Sequence, residues 1–162
     1  MCLSIGSVLN ACGVYMPFNE KQFNGYAWGK EIKQTKNIEM EKKPMRAETV
    51  CLNKGGNWFL TDQAESIKYF MNSKSEFDSA SIEFKGSKKC EGMKSMFISM
   101  MGKKFTSKKA YGRESLTWDQ PKLEIKMSYE VRALKNQSEE AIMTIFIKHK
   151  DSYKERMYQS IN

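Results

Sequence analysis

The chain has little of what catalytic and metal-binding frameworks are usually built from: one histidine, His149, in 162 residues, and four cysteines that never fall in a Cys-x-x-Cys pair. Zinc sites of paired Cys and His ligands have almost nothing to be made of, and a Ser or Cys nucleophile has one imidazole at most to serve as its base. No stretch of about 20 apolar residues is present, so no segment is suited to span a bilayer as a helix. Lys54-Gly55-Gly56 lacks both the Gly-Lys-Ser/Thr ending of a phosphate loop and the glycine spacing of a dinucleotide fold. The carboxylate pairs Glu39/Glu41 and Glu139/Glu140 fall in polar coil or turns, where nothing would raise a pKa for acid chemistry. These absences lead to the expectation of a protein that is not an enzyme and holds no metal or cofactor.

What is present is enough for one folded unit. Forty per cent of the residues are apolar and 12% aromatic, which excludes a disordered chain. A chain of this length buries roughly 68–70% of its unfolded surface around one core.

The formal charge of +8 is local. Residues 85 to 113 carry Lys85, Lys88, Lys89, Lys94, Lys103, Lys104, Lys108, Lys109 and Arg113 against Glu91 alone, nine positive and one negative, while the other 133 residues balance at 18 and 18. A basic segment on a neutral body suits an anion-facing surface that salt would screen. The plainer reading is a solvated face. Eight of the nine are lysines, which attract phosphate as point charges and lack the bidentate fork of arginine.

The first 19 residues, MCLSIGSVLNACGVYMPFN, are uncharged. Leu9-Asn10-Ala11-Cys12 places an aliphatic residue three before a cysteine and a small one just before it, and Gly13 follows. This stretch resembles the end of a bacterial lipoprotein signal peptide with its lipobox. The resemblance implies diacylglycerol attachment to the Cys12 thiol and cleavage before it, leaving residues 1–11 as a signal-peptide remnant. It places the chain on the periplasmic side of a bacterial membrane, held there by lipid. Two or three acyl chains make a lasting anchor where one is marginal. No Lys or Arg precedes the apolar run, so the expected basic n-region would lie upstream of Met1. The other reading is a cytosolic chain in which Cys2 and Cys12 are small core residues.

With Cys12 lipidated, Cys51 and Cys90 are left as an even pair in an oxidising compartment, where they would form one disulfide or stay two separate buried thiols.

Residues 12–48 carry the weakest pattern and are expected to be a tether and an N-terminal arm that packs on the domain through Phe18, Phe23, Tyr26 and Trp28. Residues 49–162 form the expected domain. Thr49–Leu52 and Trp58–Leu60 flank a turn-rich link. Asp62, with Glu65 three residues on, suggests a capped helix running to about Ser73, with Ala64, Ile67, Phe70 and Met71 on one side. Phe77–Lys85 alternates as a strand. Met93, Met96, Phe97, Met100 and Met101 recur at helical spacing over Glu91–Met101, and Gly102 follows as a cap. Such a stripe is usually core, although methionine-rich surfaces also bind varied partners.

Ser115–Trp118, Lys122–Arg132 and Ala141–Ile147 read as three strands in a meander, the last apolar on both parities. Asp151 and Ser152 open a terminal helix. The order implies α+β: an antiparallel sheet with a C-terminal three-strand meander and the helices packed on one face. The run from Met93 through Gly102 to Trp118 and Leu123 is similar to a layout of small bacterial envelope proteins.

The expected role is that of a lipid-anchored cell-envelope protein with a non-catalytic binding or structural task. Lys88, Lys89, Lys103, Lys104, Lys108, Lys109 and Arg113 would face an anionic lipid headgroup, a polysaccharide or an acidic protein. A cytosolic nucleic-acid-binding module stacking bases on Phe105, Tyr111 and Trp118 is the alternative, as is an inhibitor or immunity-type protein covering an acidic enzyme surface.

Overall fold

Alternation with period two governs most of the chain, and strands follow from it. A computed structural model describes residues 16–43, 48–54, 56–136 and 138–159; Cys2, Cys12 and the lipobox-like tetrapeptide lie outside the described residues. Gln22–Phe23 (β1) and Tyr26–Ala27 (β2) form a small hairpin. Ile38–Lys43 (β3) and Glu48–Asn53 (β4) follow, then a second short hairpin, Trp58–Phe59 (β5) with Asp62–Gln63 (β6). Next come Ser66–Met71 (β7), Phe77–Lys85 (β8) and the helix Ser87–Met101 (α1). Thr106–Ala110 (β9), Arg113–Asp119 (β10), Leu123–Ala133 (β11), Glu139–His149 (β12) and the helix Lys150–Gln159 (α2) complete the order.

Eight strands make one sheet in the order β3-β4-β7-β8-β12-β11-β10-β9, every neighbour antiparallel. Among the described residues twelve strands stand against two helices, and eight of the strands form this one antiparallel sheet. The expected α+β class with helices covering one face is therefore wrong, and the protein is mostly β. The error has a definite origin at Asp62. Ala64, Ile67, Phe70 and Met71 do fit one helix face, yet Ile67, Tyr69 and Met71 also alternate with Ser66, Lys68 and Phe70. The buried positions of β7 follow that alternation. Pairing with β4 on one side and β8 on the other satisfies β7 and also the facing edges of those two strands, which a helix here, hydrogen-bonded only within itself, would leave unpaired. Asp62 caps no helix; it opens β6, and its Oδ1 accepts from the Gln63 backbone N–H at 2.8 Å.

The inner face of the sheet is set by cross-strand rows. One row reads Ile67, Ile82, Ile145, Met127 and Leu116 across β7, β8, β12, β11 and β10. The next reads Cys51, Tyr69, Ala80, Ile147, Ile125 and Trp118, from β4 to β10. All of these are buried in one core cluster. β12 is apolar on both parities because it is an interior strand, with Ala141, Ile142 and Met143 all buried.

β8 and β9 are separated in the sheet by three strands, and α1 makes the crossing. It buries Cys90, Met93 and Phe97. Phe97 meets Phe18 and Phe59 and, edge-on, Trp118, whose ring centroid is 5.4 Å away. Gly102 ends the helix at φ 85, its N–H on the Ile98 carbonyl at 2.9 Å and its own carbonyl accepting from Trp118 Nε1 at 2.9 Å. The helix end is thus tied to β10. Residues of the arm enter the same core: Phe18, Phe23, Trp28, Ile32 and Ile38 are all buried in it, and β3 pairs along β4.

Because Phe97 is fully buried against three aromatic rings, Phe97→Ala should cost about 3–5 kcal/mol in urea unfolding. A cost below about 1 kcal/mol would contradict this account of α1.

Candidate anion-binding edge

The strand β9 was not legible in the sequence, since Thr106-Ser107-Lys108-Lys109-Ala110 has no apolar alternation. It forms because the chain returns at Tyr111 and Gly112, both at positive φ (51° and 73°), the signature of a two-residue hairpin turn. β9 is then the outermost strand of the sheet, exposed along nearly its whole length. Lysines on such an edge discourage pairing with another sheet. They also put positive charge on both faces.

On the outer face Lys108 lies across from Ser115, and Ser115 across from Ser128, whose hydroxyl is 3.3 Å from that of Ser115. The adjoining rows hold Arg113 across from Glu130 on one side and Lys126 across from Thr117 on the other. Lys108, Tyr111, Arg113, Ser115, Lys126 and Glu130 line a groove of about 340 Å³. Arg113 is engaged: its Nη2 and Nε both donate to Glu130 Oε2, at 2.8 and 3.2 Å, and Arg132 pairs with the same carboxylate. These guanidiniums hold the Glu130 carboxyl below its ordinary value. Lys108 and Lys126 have no carboxylate partner among the described residues. The groove therefore presents two ammonium groups without a carboxylate partner and the hydroxyls of Ser115 and Tyr111, a set that attracts an anion by charge without the bidentate geometry of a free arginine.

On the inner face Lys109 lies across from Glu114, and Glu114 across from Tyr129. Lys94 reaches down from α1 to hydrogen-bond Glu114 Oε2, and its ammonium stands 5.9 Å above the Tyr129 ring. Lys109 is 3.9 Å from the other oxygen of Glu114. The Lys94 hydrogen bond holds the Glu114 carboxyl below the ordinary range. This arrangement clips α1 to β10 and takes Lys94 and Lys109 out of the anion-facing set.

The remaining predicted lysines do not gather in one patch. Lys88 and Lys89 sit at the start of α1 while Lys103 and Lys104 follow its end, and 15 helical residues span roughly 22 Å. Lys89 ties the helix start to the second hairpin, donating to the Gln63 carbonyl at 3.1 Å with Asp62 at 3.9 Å. Lys88, Lys103 and Lys104 are exposed and have no carboxylate partner among the described residues. The structure thus joins Lys108 and Arg113 to Lys126, which lies outside the basic segment of the sequence and is found only from the strand register.

Three other expectations meet definite geometry. Cys51 and Cys90 are free thiols, both buried. Cys51 lies in the row of Tyr69 and Ala80, whereas Cys90 Sγ faces the Phe84 carbonyl at 3.5 Å. That is four residues further along β8, about 13 Å, with β4 two strands away. The Cα separation a disulfide demands is not met. Burial pushes the Cys51 thiol up to about 11 and raises that of Cys90, so neither is a ready thiolate.

His149, the one imidazole, is half-buried: its ring stacks on Trp28 at 5.7 Å, Nδ1 is 2.8 Å from Ser152 Oγ, and desolvation lowers its pKa. Of the three aromatics offered for base stacking, Trp118 is buried, Phe105 packs against it at 5.3 Å, and Tyr111 alone is fully exposed.

Comparison with protein-family models, curated proteins and solved structures returns no match. No group of three or more His, Cys, Asp or Glu side chains suited to a metal occurs among the described residues, and no helix among them is long and apolar enough to cross a membrane.

The Glu114 clip sets a pH dependence. Its folded pKa is depressed below the ordinary 4.5, so its stabilisation is complete above that value and is lost as pH falls through the folded pKa. Glu114→Gln should cost about 0.5–1 kcal/mol at pH 7 and almost nothing at pH 3, by urea unfolding at both pH values. An equal cost at the two would show that the carboxylate's charge is not what holds α1.

Proposed function

We propose that the chain is a lipid-anchored protein of the bacterial cell envelope with a non-catalytic binding role, and that its β9–β10 edge faces an anionic lipid surface. The observation that carries the second part is the gathering of Lys108 and Lys126 in one exposed groove, with Lys103 and Lys104 leading into β9 and no carboxylate partner for any of the four among the described residues. Near an anionic membrane each such lysine contributes about 1 kcal/mol, an attraction that fades within a Debye length. A lipid on Cys12 would supply the persistent part of the attachment and the edge the orienting part. The anchor rests on the lipobox-like Leu9-Asn10-Ala11-Cys12. Exposure of only one aromatic at this edge disfavours single-stranded nucleic acid, which needs a stacking platform of several rings.

Both parts can be tested separately. In the native host Cys12→Ala should move the protein out of the membrane fraction; unchanged retention would end the anchor reading. For the edge, the chain from Cys12 onward without lipid is titrated with phosphatidylglycerol vesicles at low salt. Neutralising Lys103, Lys104, Lys108 and Lys126 to Gln should weaken binding by about 100-fold or more. Lys33→Gln with Lys36→Gln, exposed lysines that precede β3, should change it by less than about three-fold. Equal losses per charge in the two variants would mean that only net charge matters and that the edge has no special part.

A further inference from the structure

A second cavity lies near the opposite edge of the sheet, about five strand spacings or roughly 24 Å from the basic groove. It has a volume of about 500 Å³ and is lined by Asn24, Tyr26, Asn37, Asn53, Trp58 and Tyr69 together with two glycines. Its composition sets it apart from the rest of the surface. In a chain of which 28% is charged, none of these lining residues carries a charge.

Trp58 is 65% exposed, although it is next to the fully buried Phe59 in a two-residue strand. Alternation explains how this comes about: Phe59 anchors the second hairpin in the core and so turns Trp58 outward. Packing gives no reason for an indole at that position, since Trp28 and Trp118 are both buried and both satisfy their ring N–H on a backbone carbonyl. Tyr26 stands edge-on to Tyr69 at 5.2 Å, and Asn24 Nδ2 donates to the Tyr69 hydroxyl at 3.2 Å. That bond fixes the Asn24 amide with its Oδ1 uncommitted among the described residues. The Asn37 side chain likewise has no partner among them; only its backbone is engaged, through the Thr35 hydroxyl and Lys54 N–H. Burial pushes the Tyr69 phenol up to about 12, so it stays a neutral hydroxyl in water near pH 7.

Aromatic faces with amide groups at their margin suit a ligand that has an apolar face of C–H groups and a rim of hydroxyls. An amide offers a donor pair and an acceptor side by side, which adjacent hydroxyls can meet as acceptor and donor. A ring face offers contact area with no competing charge. A phosphate or carboxylate ligand would find no cation in the cavity, and a purely apolar ligand would leave the amides desolvated and unpaired. The geometry points to a carbohydrate-binding site: Trp58 and Tyr26 pack on a pyranose face, and Asn24 and Asn37 hydrogen-bond its hydroxyls, the ligand being a neutral oligosaccharide. The size falls within the range of small-molecule sites. The inference stands on this cavity alone and is independent of the basic edge.

Saturation-transfer NMR on the full chain, with N,N′-diacetylchitobiose, cellobiose and maltose each raised to about 10 mM, tests it. At least one sugar should show saturable transfer. Trp58→Ala should weaken it by about 10-fold or more, Trp58→Phe should retain most of it, and Asn37→Ala should weaken it by roughly 5- to 10-fold. Trp58 and Asn37 are solvent-facing, so these variants should fold; a far-ultraviolet circular dichroism spectrum matching the parent verifies it. The Gln variant of Lys103, Lys104, Lys108 and Lys126 should bind the sugar as the parent does. Absence of transfer from all three sugars, or unchanged transfer in Trp58→Ala, would overturn the assignment. So would a Trp58 fluorescence shift that occurs only on lipid vesicles and never with sugar.

Discussion

The pairing of β12 with β8 is the constraint on which the rest of the molecule depends. β12 is the last strand made, yet it lies between β8 and β11, in register from Ile142 across from Lys85 to Lys148 across from Ser79. This one ladder joins β3, β4, β7 and β8 to the C-terminal meander β9 to β12. Without it neither half completes the apolar rows of the inner face, because Ile82 and Ala80 would lack Ile145 and Ile147 as neighbours. Such contacts span 60 or so residues of chain, and sheets dominated by non-local pairing fold slowly. The aromatic layer supplied by Phe18, Phe59, Phe97 and Trp118 then seals that face. α1 is seated by the same rings that the sheet orders.

Position in this sheet decides what each charge does. Lys94 and Lys109 share one carboxylate on the inner face and serve to hold a helix. Lys108, one residue before Lys109, points to the other face and has no such partner among the described residues. Arg113, the residue best suited to grip a phosphate, is given over to Glu130. Charge that is spread over 29 residues of sequence thus divides into structural ion pairs and a smaller free set at the edge.

Much of the architecture was readable from local pattern where one face is buried and the other wet. β8 and β11 announce themselves by alternation, β12 by a continuous apolar run, and α1 by Met93, Phe97 and Met101 with Gly102 behind them. The misreading at Ala64 to Met71 arose because those residues satisfy both periods, and only the partners β4 and β8, far off in sequence, decide between them. β9 was missed for the opposite reason: an edge strand wet on both faces has no apolar signal. The candidate sites were legible in part. Lys103 to Arg113 stood out as a charge run, but Lys126 joins it through register alone. The aromatic-amide cavity draws on residues from 24 to 69, and no spacing rule connects them. Cys51 and Cys90 illustrate the limit of counting, since an even pair of cysteines carries no information on the rows that keep them apart.

The central proposal is that the β9–β10 edge, with Lys103 and Lys104 leading into it, meets anions, while Lys89, Lys94 and Lys109 hold the helix and its neighbours in place. Chemical-shift mapping of the ¹⁵N-labelled, unlipidated chain on phosphatidylglycerol bicelles tests this most directly. The account requires perturbations centred on Thr106 to Thr117 and on Lys126, fading as salt is raised, with Lys88, Lys89 and the strands β3 and β4 unmoved. Perturbations centred on the start of α1, or none at low salt, would contradict it.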